Sequence, residues 1–133
     1  MKNLKVILFA VMTISLMSCK SDLKKSTDIV EIVALEDVEK LGNDVQLIDV
    51  RTPEEYAEGY ILHAKNVNFK ADNFMELMSE LNKDEPVYVY CMVGGRSGKS
   101  AAKLKEAGFT KVYDYKGGFK EWKASGKTIT MNN

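Results

Sequence analysis

The stretch that most constrains the fold is a short apolar run, Val87-Tyr88-Val89-Tyr90, which ends at Cys91 and passes through a glycine-rich turn into a helix-forming segment. β-branched and aromatic residues in such a bounded run read as a buried strand of a parallel sheet. The stretch from Ser97 to Ala107 reads as a helix with Ala101, Leu104 and Gly108 on one face. Parallel strands need crossover connections, so the rest of the chain should alternate strands with helices.

It does so at regular spacing. Val30 to Ala34 reads as a first strand, followed by a helix from Leu35 to Leu41 that Gly42 stops. Val45 to Val50 is a second strand. Thr52-Pro53-Glu54-Glu55 is a capping box, with Thr52 as N-cap, Pro53 at the first helical position and Glu55 reaching back. That helix runs through Tyr56 and ends near Gly59. Asn66 to Phe69 is the third strand, and Asn73 to Leu81 a helix with Phe74, Leu77 and Leu81 inward. Lys111 to Tyr115 is the fifth strand, and Gly117-Gly118 turns into a last helix carrying Trp122. The expected fold class is α/β: a three-layer sandwich with a five-stranded, largely parallel sheet and helices on both faces. Ligands of such sheets bind at the carboxyl ends of the strands, which is where Cys91 falls.

The turn Cys91-Met92-Val93-Gly94-Gly95-Arg96-Ser97 has the makings of a thiolate cradle. A free cysteine, with a pKa of about 8.5, is mostly protonated near neutrality. At a strand-to-helix crossing its sulfur faces unpaired backbone N–H groups and the positive end of a helix dipole, both of which favour the charged form. The competing reading is a buried structural cysteine, and the adjacent glycines and Arg96 weigh against it. Gly98-Lys99-Ser100 imitates the end of a nucleotide-binding loop, but the required upstream glycine is replaced by Val93. Lys99 is therefore read as a cation near the site, and Gly98 as a close-packing residue.

Taken together, Leu47-Ile48-Asp49-Val50-Arg51-Thr52-Pro53-Glu54-Glu55-Tyr56, Glu58-Gly59, the Cys91 turn, Gly117-Gly118-Phe119 and Trp122 resemble the rhodanese family of sulfurtransferases. The resemblance implies that Cys91 is the nucleophile and carries sulfur as a persulfide. Met92, Val93, Gly94, Gly95, Arg96 and Ser97 would then bind the anionic sulfur. Asp49 and Arg51 match the family's Asp-Val-Arg segment and are expected to hold neighbouring loops. Relatives acting on phosphate esters place five residues between cysteine and arginine; here four intervene, which favours a sulfurtransferase over a phosphatase or arsenate reductase. A non-catalytic binding or sensing module is the other alternative. His63 stands where the family has a small residue and reads as a surface side chain. The partners implied are a small sulfur anion or persulfide as donor and a thiol or cyanide-like acceptor, with no metal and no cofactor.

The amino-terminal segment bears on location. Met1 to Ser18 has Lys2 and Lys5 ahead of an apolar core from Val6 to Met17 that is too short to span a bilayer, as in an export signal. Leu16-Met17-Ser18-Cys19 resembles a bacterial lipobox, in which Cys19 is lipidated and anchors the protein; conventional cleavage of the signal is the alternative. The expected organisation is a signal peptide at 1–18, a tether at 19–28, the domain at 29–126 and a tail at 127–133. A lipidated Cys19 cannot pair with Cys91, which would leave Cys91 as the sole thiol and require an external acceptor, a ping-pong scheme. The chain has 19 basic and 19 acidic residues, and no basic patch argues for nucleic acid. A monomer is expected.

Overall fold

The computed structural model describes residues 28–132. Five strands form one sheet: β1 (Val30–Val33), β2 (Gln46–Asp49), β3 (Lys65–Asn66), β4 (Val87–Tyr90) and β5 (Val112–Tyr115). Their order is β1-β5-β4-β2-β3 and every pair is parallel. The helices are α1 (Leu35–Glu39), α2 (Pro53–Ala57), α3 (Phe74–Met78), α4 (Gly95–Glu106) and α5 (Gly118–Ala124). β4 lies at the centre, and its run of valines and tyrosines is what a strand covered on both faces demands.

Alternation along the strands sends side chains into two cores. Ile48, Val87, Val89 and Val112 meet Phe74 and Met78 of α3 and Ala101 and Leu104 of α4. On the opposite face Leu47, Tyr90 and Tyr115 meet Leu35 and Val38 of α1 and Phe119 and Trp122 of α5. Each such fully buried aliphatic side chain stabilises the fold by about 1.5–3 kcal/mol. The three-layer α/β sandwich is thus the observed architecture.

Several boundaries differ from the sequence reading, each for a local reason. β3 is two residues long rather than running from Asn66 to Phe69; beyond Asn66, only the N–H groups of Val67 and Phe69 continue the pairing, to Asp49 O and Val50 O. α3 ends at Met78, whose fully buried side chain takes the inward position, while Leu77 and Leu81 are half-buried. α4 starts at Gly95, because Gly94 adopts φ 95° and caps it. Gly108 lies past the helix end at φ 92° and is exposed, so it contributes nothing to the inward face.

The capping box forms as the sequence suggests: Thr52 Oγ1 accepts from the Glu55 N–H at 3.3 Å, and Glu55 Oε2 accepts from the Thr52 N–H at 2.9 Å. After α2, Gly59 at φ 135° lets residues 128–130 close over it, and Tyr60 pairs antiparallel with Thr130. His63 is exposed, as expected, and holds φ 69°, a left-handed conformation that costs a side-chain-bearing residue about 1–2 kcal/mol. His63→Gly is expected to raise stability by about 0.5–1 kcal/mol, net of the greater freedom of glycine in the unfolded chain. Urea denaturation of the two proteins measures it. The proposed signal segment and Cys19 lie outside the described residues.

Candidate active site

Cys91 follows directly on β4, at the carboxyl end of the sheet, and is about 1% exposed. Its Sγ accepts from the backbone N–H of Gly94 at 3.1 Å and of Ser97 at 3.4 Å. The Ser97 hydroxyl lies 3.7 Å away. Burial pushes the thiol up, but the Ser97 N–H and hydroxyl and the Gly94 and Val93 amides outweigh it, leaving the sulfur below the ordinary cysteine value. The turn therefore bends around one sulfur atom, with the first turn of a 12-residue helix aimed at it.

Glycine is required at two points of this cradle. A Cβ on Gly94 would sit 2.6 Å from Lys116 O, and one on Gly118, at φ 70°, would sit 2.5 Å from Met92 O and 2.6 Å from Cys91 O. That second approach lets the amino end of α5 bind the turn: Phe119 N–H donates to Cys91 O at 2.8 Å and Lys120 N–H to Met92 O at 3.1 Å. At Gly98, by contrast, a Cβ would meet Asp114 Oδ2 at 3.6 Å, an ordinary contact, so the close packing expected there is not required. Around the rim, Val93 is 62% exposed, Gly95 and Lys99 are exposed, and Met92 is half-buried.

Arg96 is held by a carboxylate of α2. Its hydrogen bonds go to the Glu55 carboxylate, Nη1 to Oε2 at 2.7 Å and Nη2 to Oε1 at 2.9 Å, rather than to Sγ. It remains close enough to Cys91 for mutual attraction. Glu55 thus serves twice, closing the cap of α2 and clamping the arginine of the turn. The Arg96 hydrogen bond, aided by the Thr52 N–H and opposed by burial, holds the Glu55 carboxyl at about 2 instead of 4.5. A depressed carboxyl stabilises the fold above the unfolded-state value and loses that contribution as pH falls through the folded one. Between about pH 4.5 and 2 the wild type should therefore lose about 1 kcal/mol more stability than Glu55→Gln, an amount reduced by solvent at this half-exposed pair. Denaturation of both proteins across that range checks it.

Asp49 and Arg51 form a buried ion pair. Both are buried, 0% and 1% exposed, and paired at 2.7 Å. Arg51 also donates to Gly59 O at 2.6 Å and stacks over Phe119, 3.9 Å from the ring centre. Asn66 Nδ2 bonds the carbonyls of Asp49 and Arg51. One ion pair thereby ties the ends of β2 and β3 to the α2 turn and to α5, the helix bound to the cysteine turn. Tyr115, Phe119 and Trp122 are buried packing residues, with Trp122 Nε1 bonded to Thr128 O, and Tyr113 stacks on Tyr88.

A half-exposed cysteine turn on a parallel sheet, locked by an Asp–Arg pair, is the arrangement of a thiolate-based transfer protein. The rhodanese-like domain family matches residues 34–125, and the chain belongs to that family. It is 44% identical over 77 residues to the uncharacterized protein YqhL of Bacillus subtilis, a match spanning 58% of this chain and 60% of that protein. It is 36% identical over 89 residues to the thiosulfate sulfurtransferase GlpE of Coxiella burnetii, covering 67% of this chain and 81% of the relative. The solution structure of the polysulfide-sulfur transferase homodimer from Wolinella succinogenes matches with a TM-score of 0.64 at 27% identity, over 78% of this chain and 80% of that one. At the level of the family, the activity is sulfur transfer.

Proposed function

We propose that this protein carries sulfane sulfur as a persulfide on Cys91, taking it from thiosulfate, polysulfide or a low-molecular-weight persulfide and giving it to a thiophilic acceptor. The observation that supports this most is the pair of amide donors on Sγ, at 3.1 and 3.4 Å, which favours a thiolate. With thiosulfate, the Cys91 thiolate attacks the outer sulfur, the new S–S bond forms, and the bond to the sulfonate breaks with its electron pair leaving on sulfite. An acceptor such as cyanide then takes the outer sulfur as thiocyanate and Cys91 departs as thiolate. No proton, oxidant or reductant is needed in either half.

The apolar Met92 and Val93 favour a polysulfide or small persulfide over the more strongly hydrated thiosulfate. The spacing of four residues between Cys91 and Arg96 disfavours a tetrahedral phosphate. Incubating the full-length chain with each donor and then cyanide tests the reading. Thiocyanate release supports it, whereas turnover of p-nitrophenyl phosphate without thiocyanate would overturn it.

For location, the reading is export and lipid anchoring through Cys19 on a bacterial membrane, facing the periplasm or the exterior. It rests on the basic-apolar leader and the Leu16-Met17-Ser18-Cys19 segment. Among the described residues, no helix is long and apolar enough to cross a membrane. Cys19→Ala is expected to move most of the protein from the membrane to the soluble fraction, which fractionation and immunoblotting would show.

A further inference from the structure

Beside the cysteine turn lies a hollow of about 330 Å³ for which transfer of a lone sulfur atom has no use. It is lined by Met92, the residue after Cys91, by Phe119 and by Arg51, whose charge Asp49 already neutralises. The Lys120 N–H, on Met92 O at 3.1 Å, fixes the hollow to the turn. Three exposed charged residues complete the lining: Lys120 and Lys123 of α5, and Glu58 just past α2. The two lysines stand three positions apart on one face of the helix, where like charges repel. Among the described residues, neither forms an ion pair. The one carboxylate of α5, Glu121, accepts from the Tyr115 hydroxyl at 2.8 Å and lines a different hollow.

We propose that this hollow is a subsite for the organic body of a small anionic thiol, and that Lys120 and Lys123 select persulfide donors bearing carboxylates. Its volume lies at the lower end of the range for small-molecule sites, about 300–1,000 Å³, and suits a short peptide-like molecule. Two ammonium groups facing one carboxylate complement a thiol with two carboxylates and one ammonium. Met92 and Phe119 offer apolar surface to the short chain that carries the sulfur, and the Met92 thioether is a soft neighbour for it. Because Met92 directly follows Cys91, a ligand seated here needs only a short arm to bring its sulfur to Sγ. The Cys91 thiolate then attacks the outer sulfur of R–S–SH. The S–S bond of the donor breaks, its electron pair leaves on the thiolate R–S⁻, and the proton stays on the transferred sulfur. This inference deepens the persulfide reading and rests on it for the chemistry, though not for the binding.

The test begins with binding alone. Titration calorimetry of S-methylglutathione, which cannot transfer sulfur, into the full-length Cys91→Ser chain should show saturable binding. Lys120→Gln with Lys123→Gln should weaken it about fivefold or more. Both side chains are exposed, so folding should survive the change. Glu58→Gln should weaken S-methylglutathione more than its N-acetyl derivative, which lacks the ammonium. In the thiocyanate assay of the chain with Cys91 intact, the preference for glutathione persulfide over the uncharged 2-hydroxyethyl persulfide should fall about fivefold in the double lysine variant. No binding at millimolar ligand overturns the proposal, as does an affinity or a preference that the lysine changes leave unaltered. Sulfur transfer without lysine-dependent binding removes the subsite and keeps the persulfide reading. Lysine-dependent binding without thiocyanate from any donor keeps the subsite and removes that reading.

Discussion

Cys91→Ser is expected to reduce sulfur transfer to the uncatalysed background, a loss of about 10³-fold or more, equivalent to ~4 kcal/mol of transition-state stabilisation. The change swaps one atom in a buried site whose donors are backbone amides, so the fold should be retained. What disappears is the chemistry: a serine hydroxyl remains protonated under conditions that leave this sulfur ionised, and oxygen cannot carry sulfane sulfur as a persulfide. Thiocyanate production with each donor, alongside circular dichroism to confirm folding, is the measurement. Alanine at the same position should behave alike. Residual activity within tenfold of wild type would remove Cys91 from the mechanism.

Asp49→Ala should have the largest effect on stability, a loss of about 3–5 kcal/mol. Removal of this carboxylate strands the Arg51 guanidinium at 1% exposure with only Gly59 O and two aromatic rings as company. A buried charge that loses its partner costs far more than the intact pair contributes, and several kcal/mol is a large share of the stability of a domain this size. The consequence should reach the site, because Arg51 holds Phe119, whose N–H binds Cys91 O. Replacing both members, as Asp49→Leu with Arg51→Met, should be milder than Asp49→Ala alone. Chemical denaturation of the single and double variants decides it. A double variant no more stable than the single one would contradict this account of the pair.

The parts of this architecture that were legible in the sequence are those coded by neighbouring residues. Val87 to Tyr90 could be placed because a strand buried on both faces carries an unbroken apolar run. The Thr52–Glu55 capping box could be placed because both partners lie within one helical turn. Helix starts built on glycine were less accessible: Gly94 and Gly95 are poor helix formers by propensity, yet the left-handed Gly94 is what allows α4 to begin early. β3 was overextended because Val67 and Phe69 carry the strand pattern while only two residues meet the ladder.

At the site, Cys91 and its turn were readable from local order alone. The destination of Arg96 was not, since its partner Glu55 lies 41 positions away and already had a complete role in the cap. Asp114 gave no signal either. Within Val112-Tyr113-Asp114-Tyr115 it looks like the polar half of an alternating strand, and only the register with β4 and the packing of α4 reveal that it is buried. Such pairings depend on elements brought together by folding, so no window of sequence contains them.

The most direct measurement is intact-protein mass spectrometry after exposure to polysulfide, followed by mapping of the modified peptide. A gain of one sulfur atom on Cys91, removed by cyanide and absent from Cys91→Ser, is the expected result. A Cys91 that gains no sulfur from polysulfide, thiosulfate or glutathione persulfide while the protein is folded would contradict the account.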